Sequence, residues 1–553
     1  MKFNIAIFYL ALLVLASSCQ AEEELVLQEG EIHGAIHEAN IGKVTFMGEP
    51  IPMEDYSEKD FLTSFGLKDN VDLNIRVFMG KTLAYYLHEL APGLSVNQLC
   101  KKGNYQFTFY VDGKLIYQEN LDPGAGSCRY KNEMTVFRVP LISTTEEDSW
   151  GRFLWMRFMK KGGGDEALTE ENHPLKIEIR PYIETSELKV GNIIAEGQIA
   201  VHMIKKEVGE SQVAIQPIAP NSGWNISKDS YDTEKIRELN KRIAQGDFRD
   251  ITSMVVIKNG ELLLEEYFNG AGRATLHDTR SVGKSFASTL TGIAIAEGHI
   301  KNEEASLQDF YPLKSFENYT EKKEKVTIKS LLTMSSGFDA SDMDPNSPGN
   351  EENMYPTSNW VKFALDLPMD DQKAIGEKWA YFTAGVVILG DILNQTVPGG
   401  LETYAREKLF EPLGIENYQW QYTPQKVPNT AGGLQMNALD LAKYGQLYKN
   451  GGIWNGQQVI PTQWVASSLA RQIALPEEMG GYYGYLFWNK DYQVAGQSYE
   501  VAYSSGNGGN KIFIFKDLPL VIVITAKAYN QPYAHLQVDK MMEGWILPAI
   551  FKD

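Results

Sequence analysis

The residues with the strongest claim to chemistry are Ser281 and Lys284, in the stretch Asp278-Thr279-Arg280-Ser281-Val282-Gly283-Lys284-Ser285-Phe286-Ala287. A spacing of three at the start of a helix puts both side chains on one face, within a turn of each other. A serine hydroxyl is a weak nucleophile by itself, and a neighbouring lysine whose pKa is depressed by burial or by another cation can take its proton. The helix N-terminus adds partial positive charge where an oxyanion would develop. Acyl transfer through a serine is therefore the expected chemistry. Ser-x-x-Lys also arises by chance on solvated helices, so two rivals have to be weighed. Gly283-Lys284-Ser285 imitates the end of a phosphate-binding loop, but the first glycine of that loop would fall at Asp278, whose carboxylate repels phosphate. A Ser-His-Asp hydrolase is disfavoured because there is no strict G-x-S-x-G and the C-terminal half holds only His277, His299 and His535.

Elements must hold this pair in place. The small and apolar residues after Ser281 continue a helix to Gly298. Before it come a helical segment over Lys235 to Ala244, a strand through Met254-Val255-Val256-Ile257, an Asn259-Gly260 turn and a returning strand. Strands Lys511 to Phe515 and Leu520 to Thr525, then a helix through Val538 to Ile546, bring the chain back. Residues 229–553 thus read as an α/β domain whose antiparallel sheet is built from both ends of the segment, with a mostly helical subdomain over about 302–480. Residues 31–205 read as an all-β sandwich: Tyr105, Phe107, Phe109 and Val111 alternate, Asp112-Gly113 turns the chain, and Leu115 and Tyr117 resume the alternation. Leu175, Ile177 and Ile179 form a second such face, closed by Pro181. The segment 206–228, with Pro217, Pro220, Asn221, Ser222 and Gly223, reads as a linker. Trp150, Phe153 and Trp155 read as packing residues, and His33 and His37 as non-ligands, since they lack the glutamate of a zinc-protease motif.

Later segments follow in an order that resembles the serine β-lactamase and penicillin-binding-protein family, nearest its class C and esterase branches. Ile328-Lys329-Ser330-Leu331-Leu332-Thr333-Met334-Ser335-Ser336-Gly337 resembles the helix-to-loop segment after the nucleophile helix. Gly376-Glu377-Lys378-Trp379-Ala380-Tyr381-Phe382-Thr383 resembles the second motif, Tyr-x-Asn, which implies Tyr381 as general base and acid. Gly432-Gly433-Leu434, Asp440-Leu441-Ala442-Lys443-Tyr444-Gly445 and Gly484-Tyr485-Leu486-Phe487-Trp488 complete the series. Two departures bear on mechanism. Thr383 stands where the family has Asn or Ser to bridge the lysine and the substrate amide. The third motif, normally Lys-Thr-Gly or His-x-Gly, aligns with Ser504-Ser505-Gly506, which leaves no cation to hold a substrate carboxylate. The resemblance implies substrates without a free carboxylate and an oxyanion hole made by the N–H groups of Ser281 and Asn507. Trp379, Tyr381, Phe382, Tyr482, Tyr483 and Trp488 suggest an aromatic-walled cleft.

Composition narrows the setting. The 553 residues are 43% hydrophobic and 22% charged, which suits two or three globular domains, and the net charge of −19 argues against nucleic acid. Lys2, the apolar run Ile5 to Leu15, and Ser17-Ser18-Cys19 have the layout of an export signal over residues 1–18. Cys19 with the acidic residues after it resembles the start of an exported bacterial lipoprotein. A tether over 19–30 would follow, and a lipid on Cys19 would be the sole membrane attachment, at the outer membrane or cell surface; otherwise the protein would be periplasmic. Cys100 and Cys128 remain as an even pair, either a disulfide or two buried thiols. No metal or organic cofactor is implied. The leading reading is an esterase or amidase acting on small esters or D-amino-acid-containing, small-molecule or cell-wall-derived substrates. β-Lactamase or D-Ala-D-Ala carboxypeptidase action and cyclic-amide hydrolysis follow, and the rival class is a non-catalytic cell-envelope binding protein that keeps the fold.

Overall fold

The computed structural model describes residues 24–551 apart from 69–70, 147–148 and 495, so the export segment 1–18 and Cys19 lie outside the described residues. The chain divides into two compact units that meet at Lys206 and Glu207.

In the first unit a three-stranded sheet (Val44–Met47, Leu73–Phe78, Val136–Ile142) and a larger sheet centred on Gly103–Val111 and His173–Glu184 share one apolar core. Phe107, Phe109, Ile177 and Ile179 from one sheet meet Phe46, Ile75, Val77 and Val139 from the other. Asp112 and Gly113 both adopt positive φ, 52° and 75°, the geometry of a tight hairpin turn. The alternation does not resume as expected on the return strand. A bulge at Phe109/Tyr110 pairs Tyr110 with Leu115, which puts Leu115 on the outer face, 58% exposed. Pro181 does not close its strand, which runs on to Glu184. The neighbouring strand Ala195–Met203 parts from it at Ile179, and beyond that point Gly191 donates to the Pro181 carbonyl at 2.8 Å and the short strand Leu188–Val190 pairs with Tyr182 to Glu184. Helices flank the sheets, among them Trp150–Lys160, which buries Trp155, half-buries Trp150 against Phe107 and leaves Phe153 exposed. Both ring nitrogens of His37 are engaged, with the Met79 carbonyl and the His33 N–H.

Cys100 and Cys128 form a disulfide. Residues 25–30 are pinned to this unit, unlike a free tether. Asn132 donates to the Val26 carbonyl at 2.8 Å and Thr82 to the Gln28 carbonyl at 2.7 Å.

The second unit is built on an eight-stranded antiparallel sheet. Its strands are β1 (Ile251–Lys258), β2 (Glu261–Tyr267), β3 (Ile473–Ala474), β4 (Tyr482–Tyr483), β5 (Trp488–Val494), β6 (Gln497–Gly506), β7 (Asn510–Phe515) and β8 (Leu520–Ala526), in the order β2-β1-β8-β7-β6-β5-β4-β3. Central strands are apolar on both faces and feed two cores. Val255, Ile257, Ile512, Ile514, Val521 and Val523 face one side, and Met254, Val256, Phe513, Phe515, Ile522 and Ile524 the other. Helix α1 (Thr233–Gln245), capped by the Asp232 carboxylate and ended by Gly246 at φ 89°, lays Ile236, Leu239 and Ile243 on the second face.

Three further helices shape the first face: α2 (Gly283–Ala296), α3 (Thr383–Thr396) and α4 (Ala438–Lys449). Helix α2 is buried on nearly every side, with Phe286 stacked on Tyr444 of α4 at 3.8 Å. Helix α5 (Ala534–Met541) covers the opposite face. Among the described residues no helix is long and apolar enough to cross a membrane.

The segment read as a linker is packed onto this unit. Gln216 exchanges hydrogen bonds with Tyr267 and donates its N–H to the buried Glu266 at 2.9 Å, while Asn225 and Ser227 bond to Leu262. The outer side of β2 has unpaired backbone groups, and the incoming chain satisfies them.

Candidate functional site

Ser281 lies in a single tight turn, Arg280–Val282, that precedes α2, with Arg280 at φ 51°. Asp278 sets it up: its carboxylate accepts the Arg280 N–H at 3.2 Å, a local turn that competes with helix. Thr279 donates its hydroxyl to the Leu434 carbonyl at 2.7 Å and ties the turn to the strand Leu434–Met436. Gly506, near the end of β6, closes in from the other side. A Cβ there would lie 2.0 Å from the Thr279 carbonyl oxygen and 3.2 Å from the Ser281 nitrogen, so only glycine lets the strand approach.

Lys284 sits in the first turn of α2 at 2% exposure and donates to Ser281 Oγ at 2.8 Å and to the Ala431 carbonyl at 2.5 Å. Burial lowers its pKa to about 8, and the carboxylates of Glu351 and Asp342 oppose the shift. About a tenth of the lysine is then neutral at pH 7 and half at pH 8. The Tyr381 hydroxyl lies near enough to the Ser281 side chain to be influenced by it, and its ring lies 5.2 Å from Lys284 Nζ. Burial holds the phenol well above its usual range, helped by Asp342 and Glu351 and opposed by Ser281, so Tyr381 stays protonated. Ser281, Lys284 and Tyr381 are thus brought within reach of one another.

The third-motif residues divide. Ser504 is 1% exposed and donates to Ser285 Oγ at 2.8 Å, and Ser285 donates on to the Leu486 carbonyl, so Ser504 faces α2. Ser505 is half-buried and pairs across the sheet with Lys511. Asn507 directs its side chain away, exchanging hydrogen bonds with Asn530 at 2.6 and 2.9 Å. Strand β5 begins at Trp488, opposite Tyr503, so the edge of β6 beyond Tyr503 has no partner from β5 beside the Ser281 turn.

Thr383 is placed differently from the expected bridge to the lysine: it opens α3, and its backbone N–H donates to Asp342 Oδ2 at 2.7 Å. The other matched segments converge here. Ala380 and Gly376 hang from the Met334 and Ser335 carbonyls, and Gly432 abuts Arg280. Asp342, Glu351 and the Ala431 carbonyl were missed from sequence. Asp342 and Ala431 lie in irregular stretches and Glu351 opens a one-turn helix too short to show a period, so only the fold brings them to the lysine.

The aromatic residues form one wall. Tyr381 stacks on Trp488 at 5.8 Å, Trp379 meets both, and Tyr483 meets Trp488 at 5.0 Å. Phe382 turns into the core against Phe338. A pocket of about 340 Å³ lies against Trp488, walled also by Tyr503, Tyr482 and Leu475, with Arg471 and Lys490 at its rim. The two cations are engaged by Asp491, Glu500 and Asp539. Among the described residues no cluster of His, Cys, Asp and Glu has a metal-binding arrangement.

The chain is similar to Protein flp of Staphylococcus aureus, 24% identical over 226 residues, which are 38% of this chain and 42% of that protein. It therefore spans less than half the length of that curated relative. Among solved structures, it is similar to an octameric penicillin-binding protein homologue from Pyrococcus abyssi (20% identity, TM-score 0.43, 56% of this chain and 75% of that one). Another is a penicillin-binding protein homologue from Caulobacter crescentus (17% identity, TM-score 0.44, 59% of this chain and 98% of that one). The Beta-lactamase family model matches residues 239–539, more than half of the chain, and the chain belongs to that family of serine hydrolases.

Proposed function

We propose that the protein hydrolyses small esters, or amides of D-amino-acid-containing compounds, through an acyl-enzyme on Ser281. The observation that carries this is the 2.8 Å hydrogen bond between Ser281 Oγ and a buried Lys284 whose pKa is lowered to about 8. In the neutral form the lysine accepts the serine proton as Oγ attacks the carbonyl carbon. The N–H groups of Ser281 and Asn507 receive the developing oxyanion. As the tetrahedral intermediate collapses, the Tyr381 hydroxyl gives its proton to the leaving oxygen or nitrogen and is reprotonated from Lys284. Water then attacks the acyl-serine with the same groups acting in reverse, which frees the acid and restores the hydroxyl.

The absence of a cation at Ser504–Asn507 supports substrates without a free carboxylate near the scissile bond. The same reading has the protein exported and held at the cell envelope by a lipid on Cys19. The test is labelling with a serine-directed fluorophosphonate and turnover of a p-nitrophenyl ester. Ser281 should carry the label, and Ser281→Ala should abolish turnover. Turnover that survives Ser281→Ala refutes the mechanism.

A further inference from the structure

Behind the catalytic tyrosine lies a carboxylate that no matched motif contains. Asp342 stands in the irregular chain between Gly337 and the short helix Glu351–Met354, and it makes three hydrogen bonds to backbone. Its own N–H donates to the Tyr381 carbonyl at 2.8 Å. Its Oδ2 accepts the Thr383 N–H at 2.7 Å, and its Oδ1 accepts the Glu351 N–H at 2.8 Å. Asp342 therefore grips the tyrosine turn on both sides of Phe382 and anchors it to a second segment. Thr383 opens a helix of fourteen residues, where an anion is favoured by the unpaired N–H groups.

We propose that Asp342 is the positioning residue of this site: its ionised carboxylate locks the turn that presents the Tyr381 hydroxyl to Ser281 and the Tyr381 ring to Lys284. This rests on the serine-hydrolase reading above. Both carboxylate oxygens are used as acceptors, so protonating one of them turns an acceptor into a donor that faces an N–H, and the grip opens on that side. The charged and titratable groups around Asp342 are Lys284 from α2, Tyr381 at the start of α3, and Glu351, which accepts the Tyr355 hydroxyl at 2.6 Å. Burial, and the Glu351 charge, raise the Asp342 carboxyl to about 6, against the pull of its Thr383 hydrogen bonds and of Lys284. The lock is thus complete where the lysine becomes active and loosens in mild acid.

The experiment is the pH dependence of kcat/KM for a p-nitrophenyl ester between pH 5 and pH 9, on the full mature protein and on Asp342→Asn, with Ser281→Ala as control. Loss of neutral Lys284 alone lowers kcat/KM about tenfold between pH 6 and pH 5, while protonating Asp342 as well lowers it about fiftyfold. The wild type should show the steeper fall. Asp342→Asn, whose amide can accept only one of the two N–H groups, should lose at least about tenfold in kcat at pH 8 with KM within about threefold, and its acid fall should return to about tenfold. A wild-type fall of only tenfold overturns the proposal, and this stands even if the variant does not fold. A folded Asp342→Asn with wild-type kcat and the steep acid fall overturns it as well. Turnover that survives Ser281→Ala would sink the underlying reading and the proposal with it. Turnover that depends on Ser281 without the steep fall removes Asp342 alone.

Discussion

Gly506→Ala is the sharpest test of how the nucleophile is held. The added methyl carbon would stand 2.0 Å from the Thr279 carbonyl oxygen. Carbon and oxygen do not approach closer than about 3 Å without strain, so roughly 1 Å must be found. The obstacle is backbone and no rotamer change relieves it. Thr279 is fixed by its hydroxyl to Leu434, and Gly506 by its pairing with Asn510, so the strand and the nucleophile turn must part. A 1 Å misplacement in an active site lowers the rate about a hundredfold, equivalent to about 2.7 kcal/mol of transition-state stabilisation. Overpacking of this kind destabilises the fold by about 1 to 3 kcal/mol. The assay is kcat/KM for a p-nitrophenyl ester together with the rate of fluorophosphonate labelling, on protein shown to be folded by circular dichroism. Both rates should fall about a hundredfold together, because the serine itself has moved. A folded Gly506→Ala with wild-type labelling and turnover would refute the claim that this contact sets the nucleophile.

Lys284→Met should abolish turnover and yet raise stability: burying the charged amine, whose pKa falls from 10.5 to about 8, costs about 3 kcal/mol at pH 7. Between pH 8 and 10.5 the unfolded chain binds the proton more tightly, so wild-type stability rises with pH and the advantage of the variant shrinks, which denaturant melts at pH 7 and pH 10 would show. In wild type, kcat/KM should climb with pH through about 8 as the lysine loses its proton; a profile already flat at pH 6.5 would exclude it as the base. Replacing Cys100 and Cys128 by serine removes a cross-link over 28 residues, worth about 3 to 4 kcal/mol, and should lower the melting of the first unit while ester turnover persists. A chain that starts at Glu207 should keep its activity, whereas one that starts at Asn225 loses the Gln216 contacts to Glu266 and Tyr267 and should melt lower.

The contact between Ser281 and Lys284 was legible because three-residue spacing at a helix start fixes their geometry whatever surrounds them. The two-faced strands of the second unit were legible for the same reason, since continuous apolar runs bounded by turn residues have few other solutions. Thr383 shows where such reading stops. Its position in the motif suggested a hydroxyl reaching toward the lysine, but its backbone N–H is what the structure uses, and the partner, Asp342, lies 41 residues earlier in a stretch without period. Leu115 was misplaced because one bulge reverses the faces of every residue beyond it, and a bulge leaves no mark in the alternation itself. Residues 206–228 have the prolines and small polar residues of a linker. Composition of that kind reports that a segment holds little regular structure, here the one-turn helix Glu210–Val213, and says nothing about what it lies against.

That segment has one more effect. A sheet of eight strands ends in two rows of backbone donors and acceptors, and such rows recruit strands from other molecules. At one end β3 is only two residues long, too short to template a ladder. At the other, β2 spans seven residues and would be an open invitation, but Asn225, Ser227 and Gln216 occupy its rim. The chain entering the catalytic unit thereby doubles as a guard against fibril-like growth. A protease cut within 216–227 that let this strip peel away would bare the β2 edge and should make the second unit self-associate.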